Sequence, residues 1–192
     1  MTTDEKSLKN EINHLESDLF EKQKKLIELK SQLKPQLIQD YMLKSIGDKE
    51  VRLSEMFENK TDLIVVHNMG ISCSYCTMWA DGFNGLLPHL ENRAGFVVVS
   101  PDNPEIQNEF ALKRGWQFKI YSSGGSTFTE DLGFKSEESW LPGVSTFHRE
   151  ADGSIINIQN AYFGPGDLFC STWHLFDLLA NGTDGWEPML KY

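Results

Sequence analysis

Apolar residues near the start of the chain recur at alternating three- and four-residue spacings: Leu8, Ile12, Leu15, Leu19, Leu26, Leu29 and Leu33, with Lys22 filling the one gap. A heptad seam of this kind predicts a long amphipathic helix, and Pro35 ends it because proline cannot continue the helical hydrogen-bond ladder. Residues 1–36 are therefore expected as a coiled-coil-like appendage to a domain over residues 37–192. The seam must be covered, by the chain's own domain or by a second copy, so a homodimer through this helix is one expectation. Lys22 in the seam and the like charges at Glu11/Glu16 and Lys25/Lys30 weigh against a parallel zipper.

From Tyr41 the pattern changes to short strands. Tyr41–Leu43 and Val51–Leu53 flank Gly47-Asp48 and predict a β-hairpin, after which Ser54 is placed to cap a short helix through Phe57. Leu63–Val66 reads as a buried strand. Ser74–Asn92 reads as helix, with a bend or break expected from Gly82, Gly85 and Pro88. Phe96–Val99 is a second buried strand, and Glu105–Arg114 a helix with Ile106, Phe110 and Leu112 facing inward. Trp116–Tyr121 and Val144–Arg149 are further strands, and Asp152-Gly153 turns the latter into Ile155–Tyr162. Asp167 is expected to cap a last helix running to about Ala180, closed by Asn181-Gly182.

The order is βαβαβ, then a hairpin, then a helix. Alternation implies parallel strands with crossover helices, and the hairpin adds antiparallel strands. Cys73-Ser74-Tyr75-Cys76 lies where the first core strand gives way to a helix. There the first sulfur meets unpaired backbone N–H groups and the helix dipole, which favour a thiolate, and the second lies one turn further on. A mixed sheet with flanking helices and a C-x-x-C after its first parallel strand is a thioredoxin-like α/β architecture.

Composition narrows the setting. The 192 residues carry a net charge of −10, which offers no attraction to nucleic acid or to an anionic membrane. Met1–Asn10 is polar, without the apolar stretch of a signal peptide, and no apolar run approaches the ~20 residues that span a bilayer. Three cysteines do not make a disulfide framework. These features point to a cytoplasmic protein whose thiols are reduced at rest, and no cofactor is called for.

The segment Cys73-Ser74-Tyr75-Cys76-Thr77-Met78-Trp79-Ala80-Asp81-Gly82-Phe83-Asn84-Gly85 resembles the signature of the bacterial thioredoxin-like family known as domain of unknown function 899. The likeness continues through Gly115–Phe118, Tyr121–Ser123, Gly143–Phe147 and the stretch from Leu178 to Trp186, and includes the long N-terminal helix. It implies a dithiol–disulfide oxidoreductase. The segment Val51-Arg52-Leu53-Ser54-Glu55-Met56-Phe57 is also similar to one that precedes the first core strand in peroxiredoxin-type members of the fold.

Cys73 is the candidate nucleophile, its pKa lowered from ~8.5 to somewhere in the range of about 3.5–7.5 by the helix terminus, and Cys76 the resolving thiol. His67 stands six residues before Cys73, where a thioredoxin carries the buried carboxylate that serves its resolving cysteine; a histidine there either shuttles that proton or is a strand-end residue bonded to backbone. Pro142 stands where a thioredoxin carries its cis-proline, and an ordinary trans loop is the alternative. Trp79, Trp116 and Tyr121 either line a substrate cleft or belong to the core. Asp81 either holds the loop after the redox helix or is a solvated charge. The Gly-, Ser- and acid-rich stretch from Ser122 to Leu141 has the length of a lid or binding loop, or else of a disordered segment. Cys170 and His174, one helical turn apart, could complete a Cys₃His zinc site with Cys73 and Cys76. The opposing view makes Cys170 a small buried hydrophobe far from Cys73.

Three functions remain open. The first is a thiol–disulfide oxidoreductase acting on a protein or small-molecule disulfide or thiol. The second is a thiol peroxidase, weakened because Met69-Gly70-Ile71-Ser72 lacks the proline and threonine that precede a peroxidatic cysteine. The third is a redox-inactive binding module.

Overall fold

A computed structural model describes residues 3–137 and 139–192; Met1 and Thr2 of the N-terminal segment, and Glu138 of the 122–141 connection, lie outside the described residues. The chain divides into two compact units, residues 1–35 and 36–192. The first is the helix α1 (Thr3–Ser31), with acidic Asp4 and Glu5 in its first turn and Lys30 in its last, both favourable to the helix dipole. Leu33 falls beyond its end. The seam side chains from Leu8 to Leu29 are exposed.

The second unit is built on one eight-stranded sheet, in the spatial order β1-β8-β7-β4-β5-β6-β2-β3. The parallel centre consists of β4 (Asp62–His67), β5 (Gly95–Ser100) and β6 (Lys119–Ser122). The hairpin β7 (Gly143–Arg149) and β8 (Ile155–Tyr162) runs antiparallel beside β4. The expected early hairpin forms as β2 (Met42–Ser45) and β3 (Lys49–Arg52) and adds to the far edge at β6. A short strand that the apolar pattern does not announce, β1 (Gln36–Ile38), closes the other edge along β8.

Strand alternation sorts the core onto two faces. Leu63, Val65, Val97, Val99, Tyr121 and Phe147 face one way and meet the helices α2 (Leu53–Met56) and α5 (Phe128–Asp131). Val66, Phe96 and Val98 face the other way, toward α3 (Ser74–Arg93). Despite its two glycines and Pro88, α3 is one unbroken helix. Gly82, Gly85 and Pro88 are exposed, on the side of the helix away from the sheet, where missing side chains leave the packed face intact.

The remaining differences have simple causes. In α4 (Pro104–Arg114) the buried side chains are Pro104, Gln107 and Ala111, while Ile106 and Leu112 are exposed. Asn103 caps this helix, its side chain accepting from the Glu105 N–H at 2.9 Å. Ser54 does not cap α2; its N–H and hydroxyl both bond the Asp40 carboxylate at 2.8 Å. The last helix, α6, covers only Ser171–Phe176. Asp167 instead closes a turn before it, accepting from the Gly164 and Phe169 N–H groups.

The candidate redox site

Five residues, Asn68 to Ser72, carry the chain from the end of β4 to the start of α3. Cys73 is the N-cap of that helix, in extended conformation, and its Sγ accepts a hydrogen bond from the Cys76 N–H at 3.0 Å. Its carbonyl takes the Thr77 N–H at 3.0 Å and the Thr77 hydroxyl at 2.9 Å. The two cysteines, with Cα atoms 5.2 Å apart, are joined as a disulfide. One helical turn brings the two sulfurs within bonding reach. Cys73 is half-buried, whereas Cys76 is buried against the sheet with Val66, Trp79 and Phe163. A partly exposed sulfur in front of a buried one is an arrangement that thiol–disulfide exchange can use.

Trp79 and Pro142 flank a narrow crevice beside Cys76, shared with Val66, His67, Asn68 and Phe163. Trp79 is itself core, with an indole N–H that meets no acceptor among the described residues. Among the described residues no peptide bond is cis, so Pro142 is an ordinary trans proline whose carbonyl accepts from the Phe163 N–H at 2.9 Å.

His67 lines that crevice, but its ring is directed away from Cys76, and Tyr121 does not reach the crevice. Both side chains belong to the opposite face of the sheet. The His67 ring stacks on Phe134, with centroids 4.0 Å apart and planes 12° from parallel, and Nε2 bonds the Ser145 hydroxyl at 2.9 Å. Gly143, its partner on β7, makes room for Phe134, since a Cβ there would overlap that ring. Complete burial pushes the His67 pKa down to about 3, so the ring is neutral and structural. Tyr121 packs with the same core, and desolvation raises its pKa.

Trp116 lies on the disulfide's side of the sheet but serves as a clasp. Its indole N–H bonds the Asp81 carboxylate at 2.7 Å, and Arg114 pairs with the same carboxylate. Asp81 thus ties the redox helix to the end of α4. The 122–141 connection, expected as a lid, a binding loop or a disordered segment, sends Phe128, Leu132 and Phe134 into the core.

The C-terminal stretch supplies what sequence reading missed. Trp173 stacks on Tyr75, between the two cysteines, at 6.0 Å and 26°. Partial desolvation and then the Glu187 carboxylate raise the Tyr75 pKa. Cys170 is a buried free thiol in the same apolar cluster as Cys76, so this stretch packs on the redox helix instead of away from it. Among the described residues no three His, Cys, Asp or Glu side chains gather as a metal site, so the Cys₃His set does not assemble. Among the described residues no helix is long and apolar enough to cross a membrane.

Residues 7–191 match the family described as bacterial protein of unknown function DUF899. The chain belongs to that family. Solved structures place this DUF899 chain in the thioredoxin-like fold. It is similar to peroxiredoxin Q from Xanthomonas campestris, with 20% identity and a TM-score of 0.54 over 69% of this chain and 87% of that one. It is similar to peroxidoxin BcpB from Mycobacterium tuberculosis, with 20% identity and a TM-score of 0.53 over 67% and 84%. It is also similar to reduced Prx3 from Vibrio vulnificus, solved in complex with H2O2, with 12% identity and a TM-score of 0.56 over 71% and 92%. At these identities the likeness is one of fold. No curated protein matches the chain by sequence.

Proposed function

We propose that this DUF899 protein is a thiol–disulfide oxidoreductase working through Cys73 and Cys76. The observation that carries the reading is the Cys73 Sγ at the N-terminus of α3, accepting the Cys76 N–H at 3.0 Å. A thiolate in that position gains a hydrogen bond and the helix dipole, both of which make it a better-populated nucleophile at neutral pH. Cys73 attacks a substrate disulfide, forming a mixed disulfide and expelling one substrate thiolate. That thiolate takes the proton of Cys76. The Cys76 thiolate then attacks the Cys73 sulfur, closing the internal disulfide and releasing the second substrate half as a thiolate, which takes its proton from water. Two electrons pass from the protein to the substrate, and an external thiol must return them.

The proposed partner is a protein or small-molecule disulfide, met without nucleic acid or membrane, in the cytoplasm. Thiol peroxidase action is the second reading, favoured by the peroxiredoxins among proteins of similar fold. There Cys73 would become a sulfenic acid that condenses with Cys76, releasing water.

The test is turnover of a model disulfide and of hydrogen peroxide by the same preparation, coupled to a thiol reductant. Disulfide turnover that disappears in Cys73→Ser supports the first reading. Peroxide turnover at least tenfold faster than disulfide turnover would replace it with the second. Absence of both in the wild type would leave a binding module.

A further inference from the structure

The loop before Cys73 is held from outside by one carboxylate. Asp102 Oδ2 accepts the Ile71 N–H at 2.7 Å. Gly70, next to it, has φ +118°, and a Cβ at that position would lie 2.9 Å from the same oxygen. The loop is therefore shaped around Asp102 twice over, by a hydrogen bond and by an omitted side chain. Gly70 passes the constraint on, because its carbonyl accepts the Cys73 N–H at 3.1 Å.

Asp102 is fixed in turn. It follows β5, and its N–H reaches the Ser100 hydroxyl at 3.3 Å. The buried Gln107 of α4 donates through Nε2 to the carbonyls of Asp102 (2.6 Å) and Ser100 (3.1 Å). A rigid strand end and a helix thus present the carboxylate to the loop.

We infer that Asp102 is the positioning residue of the redox turn, holding Cys73 Sγ at the helix N-terminus through Ile71 and Gly70. The inference rests on the oxidoreductase reading. In the oxidised protein the disulfide itself restrains Cys73. After reduction that restraint is gone, and the Asp102 bond does more of the work of keeping the thiolate on the Cys76 N–H. Losing the bond therefore penalises the dithiol form more than the disulfide form, and the couple becomes more reducing.

The experiment is a redox titration of the full-length protein against glutathione, read by alkylation and mass spectrometry of Cys73 and Cys76. Asp102→Ala is expected to shift the oxidation equilibrium about tenfold toward the disulfide, or about 30 mV more negative for a two-electron couple. Asp102→Asn keeps an oxygen that can accept the Ile71 N–H and is expected to stay within threefold of wild type. An Asp102→Ala constant within twofold of wild type overturns the inference, as does an Asp102→Asn shift as large as that of Asp102→Ala. Should a variant fail to fold by circular dichroism, hydrogen exchange at the Ile71 amide of the reduced wild type decides: strong protection supports the bond and free exchange overturns it. A wild type with no reversible couple defeats the oxidoreductase reading itself; a normal couple indifferent to Asp102 defeats only this inference.

Discussion

At the scale of single residues, strand parity decides which neighbours of the C-x-x-C belong to its chemistry. His67 is two residues beyond Val65 and shares its face of the sheet, so the ring sits across the sheet from Cys76. Counting six residues back from Cys73 gives the right strand end and the wrong face, because the Asn68–Ser72 loop alone determines how the strand relates to the helix. A buried neutral histidine has a consequence of its own. Its folded pKa of about 3 lies below the ordinary 6.5, so as pH falls through that interval the unfolded chain binds a proton that the folded one refuses. The stability cost grows as pH drops, at up to about 1.4 kcal/mol per pH unit. Urea unfolding between pH 7 and pH 4 is expected to show this slope in the wild type and its loss in His67→Leu. Equal slopes in the two proteins would mean that the ring is protonated in the folded state.

At the scale of elements, the strands and main helices are readable because their periods are clean: β4 and β5 as unbroken apolar runs, and α1 as a heptad seam. The 122–141 connection is misleading for an opposite reason. Its glycines, serines and acids suggest solvent, yet three spaced apolar residues, Phe128, Leu132 and Phe134, reach the core. The C-terminal stretch has leucines enough for a long helix, but Leu178 and Leu179 are exposed and the helical turns stop at Phe176. For α1, seven seam side chains in water forgo ~1.5–3 kcal/mol for each large side chain that a partner would fully bury. Pairing between two copies, antiparallel or onto the other's domain, is expected to recover part of that. Light scattering of the full-length chain should then give a dimer, and removal of residues 1–34 a monomer with the Cys73–Cys76 disulfide still able to form. A full-length monomer at high micromolar concentration would exclude pairing through this helix.

At the scale of the whole molecule, a βαβαβ order followed by a hairpin specifies the parallel centre and the β7–β8 pair of the sheet, since parallel strands need crossovers and hairpins add at an edge, but not β1. The site is legible only in part. The cysteine pair is found by its spacing and position; the Asp81 clasp is not, because its partners Arg114 and Trp116 lie at the end of α4 and just after it, and not in the loop that follows α3. Nor is Asp102, because nothing near it in the chain indicates that its carboxylate will meet the loop 31 residues earlier. Tyr75 and Trp173 likewise meet only through the fold. The proposed chemistry has a direction, with Cys73 attacking the substrate and Cys76 resolving from behind it. The most direct measurement is intact-protein mass spectrometry of the reduced Cys76→Ser variant after exposure to a model disulfide. The account predicts a stable adduct of one substrate half per chain, mapped to Cys73 and absent from Cys73→Ser. An adduct mapped to Cys170, or none on Cys73 while wild type still turns over, would contradict it.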